Sequence, residues 1–241
     1  MPGSVTREEL KGRPTLYPLG DHAVTVQFGT DITLETHAVV RAFTRLLDER
    51  RPGGIVEYVA GPTTVNVLYD PTTCTCGDIV EELNILASAA RPDSGKAVAP
   101  AVEIPVCYGG DFGPDLDFVA SHTGLPADRV VEIHSGAEYL VHMIGFVPGF
   151  PYLGGLDERL ATPRRESPRA VVPPGSVAVA GRQTGIYPSE APGGWQLIGR
   201  TPTQLFSPYR DPPSLLHAGD RVRFVAITRD EFDRLARDRE R

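Results

Sequence analysis

The sequence predicts two units: a ferredoxin-like α+β domain of βαββαβ order over residues 1–97, then a mainly-β barrel over residues 98–241. Three observations carry this expectation. Periodic segments run strand, helix, strand, strand, helix, strand between His22 and Val106. After Tyr139 the chain breaks into short apolar runs punctuated by Gly and Pro, the pattern of a small barrel. Between the two regions, Pro92 to Pro100 reads as a linker.

The elements follow in order. His22 to Gly29 alternates, with Val24, Val26 and Phe28 on one face, which predicts a strand. Thr33 is placed to cap a helix running to about Arg50, with Val39, Phe43, Leu46 and Leu47 on one side. Pro52-Gly53-Gly54 ends that helix. Ile55 to Ala60 and Val65 to Tyr69 read as strands. Ile79, Leu83, Leu86 and Ala90 recur at helical spacing, and Val102, Ile104 and Val106 alternate again. Two short helices follow. One covers Asp115 to His122, with Gly124 as its stop, and the other starts at Pro126. Tyr139 to Ile144, Ser176 to Ala180, Trp195 to Gly199 and Arg221 to Ile227 read as strands, and Phe232 and Leu235 give the charged tail about two helical turns.

Composition excludes several function classes. The chain has 241 residues, 41% hydrophobic and 23% charged, with a net charge of -7, which argues against nonspecific nucleic-acid binding. No apolar run approaches the length of a membrane span, and the N-terminus lacks the layout of a signal peptide. Three cysteines, Cys74, Cys76 and Cys107, do not make a disulfide framework, so a cytoplasmic protein is expected. Cys74 and Cys76 are one residue apart, with no suitably spaced His pair, and no metal is expected.

The stretch from Gly145 to Pro202 carries the candidate site. Its glycines and prolines alternate with large rings: Phe146, Phe150, Tyr152, Tyr187 and the sole tryptophan, Trp195. Such interleaving predicts tight turns around something packed rather than a flexible linker. Between Gly145 and Arg210 there are seven arginines, no lysine and four acidic residues. Arginine's planar fork suits carboxylate or phosphate, so Arg164, Arg182 and Arg200 are candidate ligands of an anion. Ordinary surface ion pairs with Glu158 or Glu166 are the plainer account of the same residues. Gly181-Arg-Gln-Thr-Gly185 places Gln183 and Thr184 between glycines. This is either a polar turn aimed at a ligand or a plain hairpin, and it lacks the ending of a P-loop. No nucleophile elbow or zinc-protease helix is present. His134 and His142 are the nearest acid–base candidates, and a structural role fits each of them. No catalytic residue is assigned.

Four blocks then carry a resemblance. They are Gly145-Phe-Val-Pro-Gly-Phe-Pro-Tyr-Leu-Gly-Gly155, Ala161-Thr-Pro-Arg-Arg165, Gly181-Arg-Gln-Thr-Gly-Ile-Tyr-Pro188 and Pro192-Gly-Gly-Trp-Gln-Leu-Ile-Gly-Arg-Thr-Pro202. Together with Leu19-Gly-Asp21 and Ile104 to Gly110, they resemble the KipI / allophanate hydrolase subunit 1 family, which includes the B component of bacterial 5-oxoprolinase. The resemblance implies a cyclophilin-like barrel. It also implies a partner of the allophanate hydrolase subunit 2 (KipA) type, in a hetero-oligomer acting with ATP on a small anionic lactam or amide. Phe146, Phe150, Arg164, Arg182, Gln183, Thr184, Gly185, Tyr187, Trp195 and Arg200 are the expected substrate-binding residues. ATP is expected at or with the partner subunit. Two alternatives remain within the family: half of a biotin-dependent carboxyltransferase, as in urea carboxylase, and a non-enzymatic inhibitor of a histidine kinase.

Overall fold

The computed structural model describes residues 14–92 and 100–239. The chain divides into two compact units, Met1–Ala97 and Val98–Arg241. The junction itself and most of the expected linker lie outside the described residues. Among the described residues, no helix is long and apolar enough to cross a membrane.

The first unit contains β1 (Thr15–Pro18), β2 (Ala23–Gln27), α1 (Leu34–Arg50), β3 (Ile55–Ala60), β4 (Thr64–Tyr69) and α2 (Cys76–Ala89). Thr33 caps α1 by accepting from the Thr36 amide at 3.1 Å. Thr75 and Asp78 form a reciprocal capping box at the start of α2. The strands pair antiparallel in the order β1-β2-β4-β3. One face of the sheet sends Val24, Val26, Val65 and Val67 into a core with Phe43 and Leu47 of α1 and Leu83 and Leu86 of α2.

This order corrects the expected βαββαβ. The observed order is ββαββα, and the alternating segment at residues 102–106 belongs to the barrel. The sheet edge beside β2 is taken by Thr15–Pro18, which pairs through the tight turn closed by the Leu19 amide on the Ala23 carbonyl at 2.8 Å. Alternation identifies a strand but not its neighbour, and a hairpin reaches an edge more cheaply than a distant segment does.

The second unit contains β5 (Val102–Tyr108), α3 (Leu116–Thr123), α4 (Ala127–Gly136), β6 (Glu138–Ile144) and β7 (Pro151–Gly154). It continues with β8 (Arg169–Val172), β9 (Ser176–Ala180), β10 (Gln183–Ile186), β11 (Ala191–Gly193), β12 (Gln196–Arg200), β13 (Arg221–Ala226) and α5 (Arg229–Arg239). Seven of these strands close a barrel in the order β10-β7-β6-β13-β5-β12-β9. β13 and β5 run parallel, and the other barrel pairs are antiparallel. Ile104, Val106, Val141, Leu153, Val177, Val179, Ile186, Ile198 and Phe224 fill the main core, joined by Val119 of α3 and Val130 and Ile133 of α4. β8 and β11 form a separate two-stranded ribbon. Every residue of β9 is buried: Val177 and Val179 join the main core, while Ala178 and Ala180 join a second cluster with Val172 of β8 and Ala191 of β11. A strand buried on both faces reads as an unbroken small-apolar run, as Ser-Val-Ala-Val-Ala does.

Candidate functional site

The turn after β6 presents one ring and hides the next. The Val147 amide reaches back to the Gly145 carbonyl at 2.8 Å, which makes Phe146 the centre of a three-residue turn with φ 65°. A bulky residue rarely occupies that region, and Phe146 is 57% exposed there. Gly149 follows at φ 82°, where an added Cβ would lie 2.6 Å from that of Phe206.

Phe150, Tyr187 and Trp195 are buried, and they pack edge-to-face. Ring centroids are 5.1 Å apart for Phe150–Tyr187 and 5.6 Å for Phe150–Trp195. Gly185 lies beneath them, since a Cβ there would sit 2.9 Å from Phe150 Cζ. These rings, expected as pocket walls, fasten the β8–β11 ribbon to the barrel in one cluster. Phe146 lies at the margin, edge-on to Phe150 at 5.7 Å.

The three expected arginines are not gathered at one place. Arg164 is exposed, with its guanidinium carbon 5.9 Å from the Trp195 ring centroid. Arg182 is paired with Glu158, both well exposed, at the tip of the β9–β10 hairpin. Arg200 ends β12, four residues from Gln196 at the strand's start, so the two are about 13 Å apart. Its guanidinium lies over Phe112 at 4.8 Å and shares that ring with Arg229 at 4.2 Å. Burial, then the neighbouring Arg229 charge, pulls the Arg200 pKa down, and its buried Nε has no acceptor among the described residues.

The Gly181–Gly185 segment is a two-residue hairpin. Gln183, Thr184 and Gly185 pair with Ala180, Val179 and Ala178, and Gly181 supplies the positive φ of 56° that the turn needs. The Thr184 hydroxyl is buried and committed: it donates to the Ala178 carbonyl at 2.9 Å, so it accepts from His134 Nε2 at 2.9 Å. That assignment leaves His134 Nδ1 as the acceptor for the Tyr108 hydroxyl at 2.8 Å. The ring stacks on Phe224 at 4.6 Å, and full burial lowers its pKa to about 3. His134 is therefore a neutral core residue held in one tautomer. His142 is also buried, and burial pushes its pKa down.

The arginine-bearing cavity centres on a residue that carries no functional signal in the sequence. Asp115, just before α3, is 5% exposed. Its Oδ1 accepts from Arg165 Nη1 at 3.1 Å and Arg169 Nη2 at 2.8 Å. Its Oδ2 accepts from Arg169 Nη1 at 2.9 Å and the Leu197 amide at 2.7 Å. All four acceptor positions are filled, so Asp115 works as a strut rather than a base. The segment that it holds, residues 163–169, is also tied by the Arg165 amide to the Gly194 carbonyl at 2.7 Å and by Gln196 Nε2 to the Pro163 carbonyl at 3.0 Å. Beside it lies an open pocket of about 640 Å³ lined by Asp115, Phe118, Pro163, Arg164, Arg165, Glu166, Ser167 and Gln196. Only Arg164 among the expected site residues lines it. The pocket combines an exposed ring, a hydroxyl, an amide and arginines, a set suited to a small anion.

The family model of the carboxyltransferase domain, subdomain C and D, matches residues 14–216. The chain belongs to this family. Within it, the chain is 42% identical over 228 residues to the 5-oxoprolinase B component of Bacillus subtilis (strain 168), covering 89% of this chain and 93% of that one. It is 45% identical over 217 residues to the 5-oxoprolinase B component of Escherichia coli O157:H7, covering 88% and 96%. The crystal structure of the Kluyveromyces lactis urea carboxylase superposes with a TM-score of 0.80 at 21% identity, over 99% of this chain and 24% of that one, a likeness of fold.

Proposed function

We propose that this chain is the B component of a 5-oxoprolinase-type amidohydrolase, which opens 5-oxoproline to glutamate with ATP in a cytoplasmic complex. The observation that carries the reading is 42% and 45% identity, over nearly the full length of each, to two proteins named as that component of 5-oxoprolinase. A subunit of the allophanate hydrolase subunit 2 type is the proposed partner, and the chain is inactive without it. The pocket beside Asp115 is the proposed contribution of this chain to substrate binding. Arg164 supplies an uncommitted guanidinium for the carboxylate of 5-oxoproline, with Ser167 and Gln196 as polar neighbours and Phe118 as an apolar wall. ATP supplies the phosphoryl group that drives ring opening. The Gly181–Gly185 hairpin is a poor cradle for it, because the Thr184 hydroxyl is already committed in the core. Half of a biotin-dependent carboxyltransferase is the second reading, favoured by the family's own description and the urea carboxylase fold.

The test is co-expression with the partner subunit and a lactam-hydrolysing third subunit, assayed for ATP-dependent glutamate release. Arg164→Ala is expected to lower turnover at limiting substrate roughly 10- to 100-fold in a complex that still assembles. A stable complex without turnover would sink the hydrolase assignment and favour carboxyl transfer.

A further inference from the structure

We propose that Asp115 is the positioning residue of an anion subsite on this chain. Its buried carboxylate holds the 163–169 segment so that Arg164, the outer edge of Arg165 and the Ser167 hydroxyl face one small carboxylate or phosphate. This rests on the functional reading above for the identity of the substrate, but the geometry stands on its own.

The three arginines of the segment are used differently. Arg169 gives both terminal nitrogens to Asp115, and its side chain is only 23% exposed, so it is a strut. Arg165 gives one terminal nitrogen to Asp115 and its Nε to the Ser167 carbonyl at 3.4 Å, and its side chain stays 36% exposed. Its other terminal nitrogen makes no hydrogen bond among the described residues. Arg164 has no hydrogen-bonded partner among the described residues and rests against Trp195. One carboxylate thus neutralises one of two cations while fixing both. The backbone on either side of Arg164 is tied at Pro163 and Arg165, which fixes where its side chain starts, and its guanidinium lies over Trp195. Glu166 is the one further acid at the pocket. The lining itself carries Arg164 and Arg165 against Asp115 and Glu166, and Arg169, paired to Asp115 from behind, tips the local balance to three arginines against two acids. That excess of one charge favours a small anion, and the Arg165 fork, held in advance by Asp115, is spared the ordering cost that a flexible arginine would impose. Asp115 lies 50 residues from Arg165 and 54 from Arg169, so no local motif reveals the clamp.

Trp195 makes the arrangement measurable, because it is the sole tryptophan and Arg164 lies against it. The experiment uses the full chain as wild type, Asp115→Asn and Arg169→Gln, with Arg159→Ala as a charge control outside the pocket lining. Each is titrated with 5-oxoproline and, separately, with inorganic phosphate, following Trp195 emission. Limited trypsin digestion reads the mobility of the segment at Arg164 and Arg165, sites that every variant retains. We expect at least one anion to bind the wild type and the control alike. Each pocket variant should bind it at least tenfold more weakly and be cut at least tenfold faster in the segment, with unchanged circular dichroism. Arg169→Gln keeps Asp115 and its other bonds, so it remains informative if Asp115→Asn does not fold. In the assembled complex, the same variants should raise KM for 5-oxoproline with little change in kcat.

Wild-type binding of neither anion overturns the proposal, as does a folded variant with unaltered affinity and digestion. Preference for 5-oxoproline assigns the subsite to the substrate carboxylate, and preference for phosphate assigns it to the nucleotide-derived group. Anion binding that depends on Asp115, in a complex with no lactam turnover, supports the subsite and sinks the assigned reaction. Turnover with an unchanged KM in Asp115→Asn does the reverse.

Discussion

Acidification should weaken the barrel unit before its carboxylates titrate, and His134 is a main cause. In the folded chain the ring is buried and neutral with a pKa of about 3, whereas unfolded histidine titrates near its ordinary value of 6.5. The sign follows from proton counting. Between those two values the unfolded chain binds the proton and the folded chain does not, so stability is complete above the unfolded pKa and falls as pH drops through the window. From about pH 7.5 to about pH 4.5 the loss is on the order of 3 kcal/mol for this one group. That is a large fraction of the stability of a typical domain. His142, whose pKa burial also lowers, adds a contribution of the same sign. The assay is urea unfolding followed by Trp195 fluorescence, which reports the barrel unit because the sole tryptophan lies there. The comparison is wild type against His134→Gln, whose amide can still accept from Tyr108 and donate to Thr184 without titrating. The wild type should lose on the order of 3 kcal/mol more than the variant over the window. Equal pH dependence in the two proteins would refute the assignment of a neutral, fully desolvated imidazole.

Two other outcomes follow from the same geometry. Gly113→Ala places a Cβ 2.1 Å from the Ile198 carbonyl oxygen, a backbone atom of a barrel strand, and should cost at least about 3 kcal/mol in urea unfolding. A loss below about 1 kcal/mol would mean that the strand yields. Arg182→Ala removes an ion pair in which both side chains are more than 70% exposed, so stability should change by less than about 1 kcal/mol and anion affinity should not change. A tenfold loss of anion binding in that variant would return Arg182 to the site.

Elements are more legible in the sequence than their neighbours are. α1 shows because an apolar stripe and a capping threonine are local signals, and it lies within a residue or two of its expected ends, while α2 shows by its apolar stripe alone. The segment at 102–106 is legible as a strand, but its partners β12 and β13 lie some 90 to 120 residues further along the chain. Thr15–Pro18 does not show, because four residues ending in proline carry too little alternation. The rings of the Gly/Pro-rich stretch read as packed, and all but Phe146 are. Sequence does not distinguish a ring that walls a pocket from one that fastens a ribbon, and Phe150, Tyr187 and Trp195 do the second. The arginines are legible as anion ligands by type alone. Asp115 reads only as a helix start, because its partners come from β8, β12 and the segment before β8.

The parallel pairing of β5 with β13 has a consequence for how the protein is made. Residues 102–106 pair with residues 222–226, about 120 positions later. As the chain leaves the ribosome at about 5–20 residues per second, β5 waits some 6–24 seconds for that neighbour. Until β13 arrives, β5 and β6 each present an open backbone edge, because it is β13 that lies between them. The antiparallel pairs β6–β7 and β9–β10 form from nearby segments and need no such wait. The last strand to be synthesised thus seals the barrel, and a chain interrupted before Arg221 carries two unpaired edges into a crowded cell.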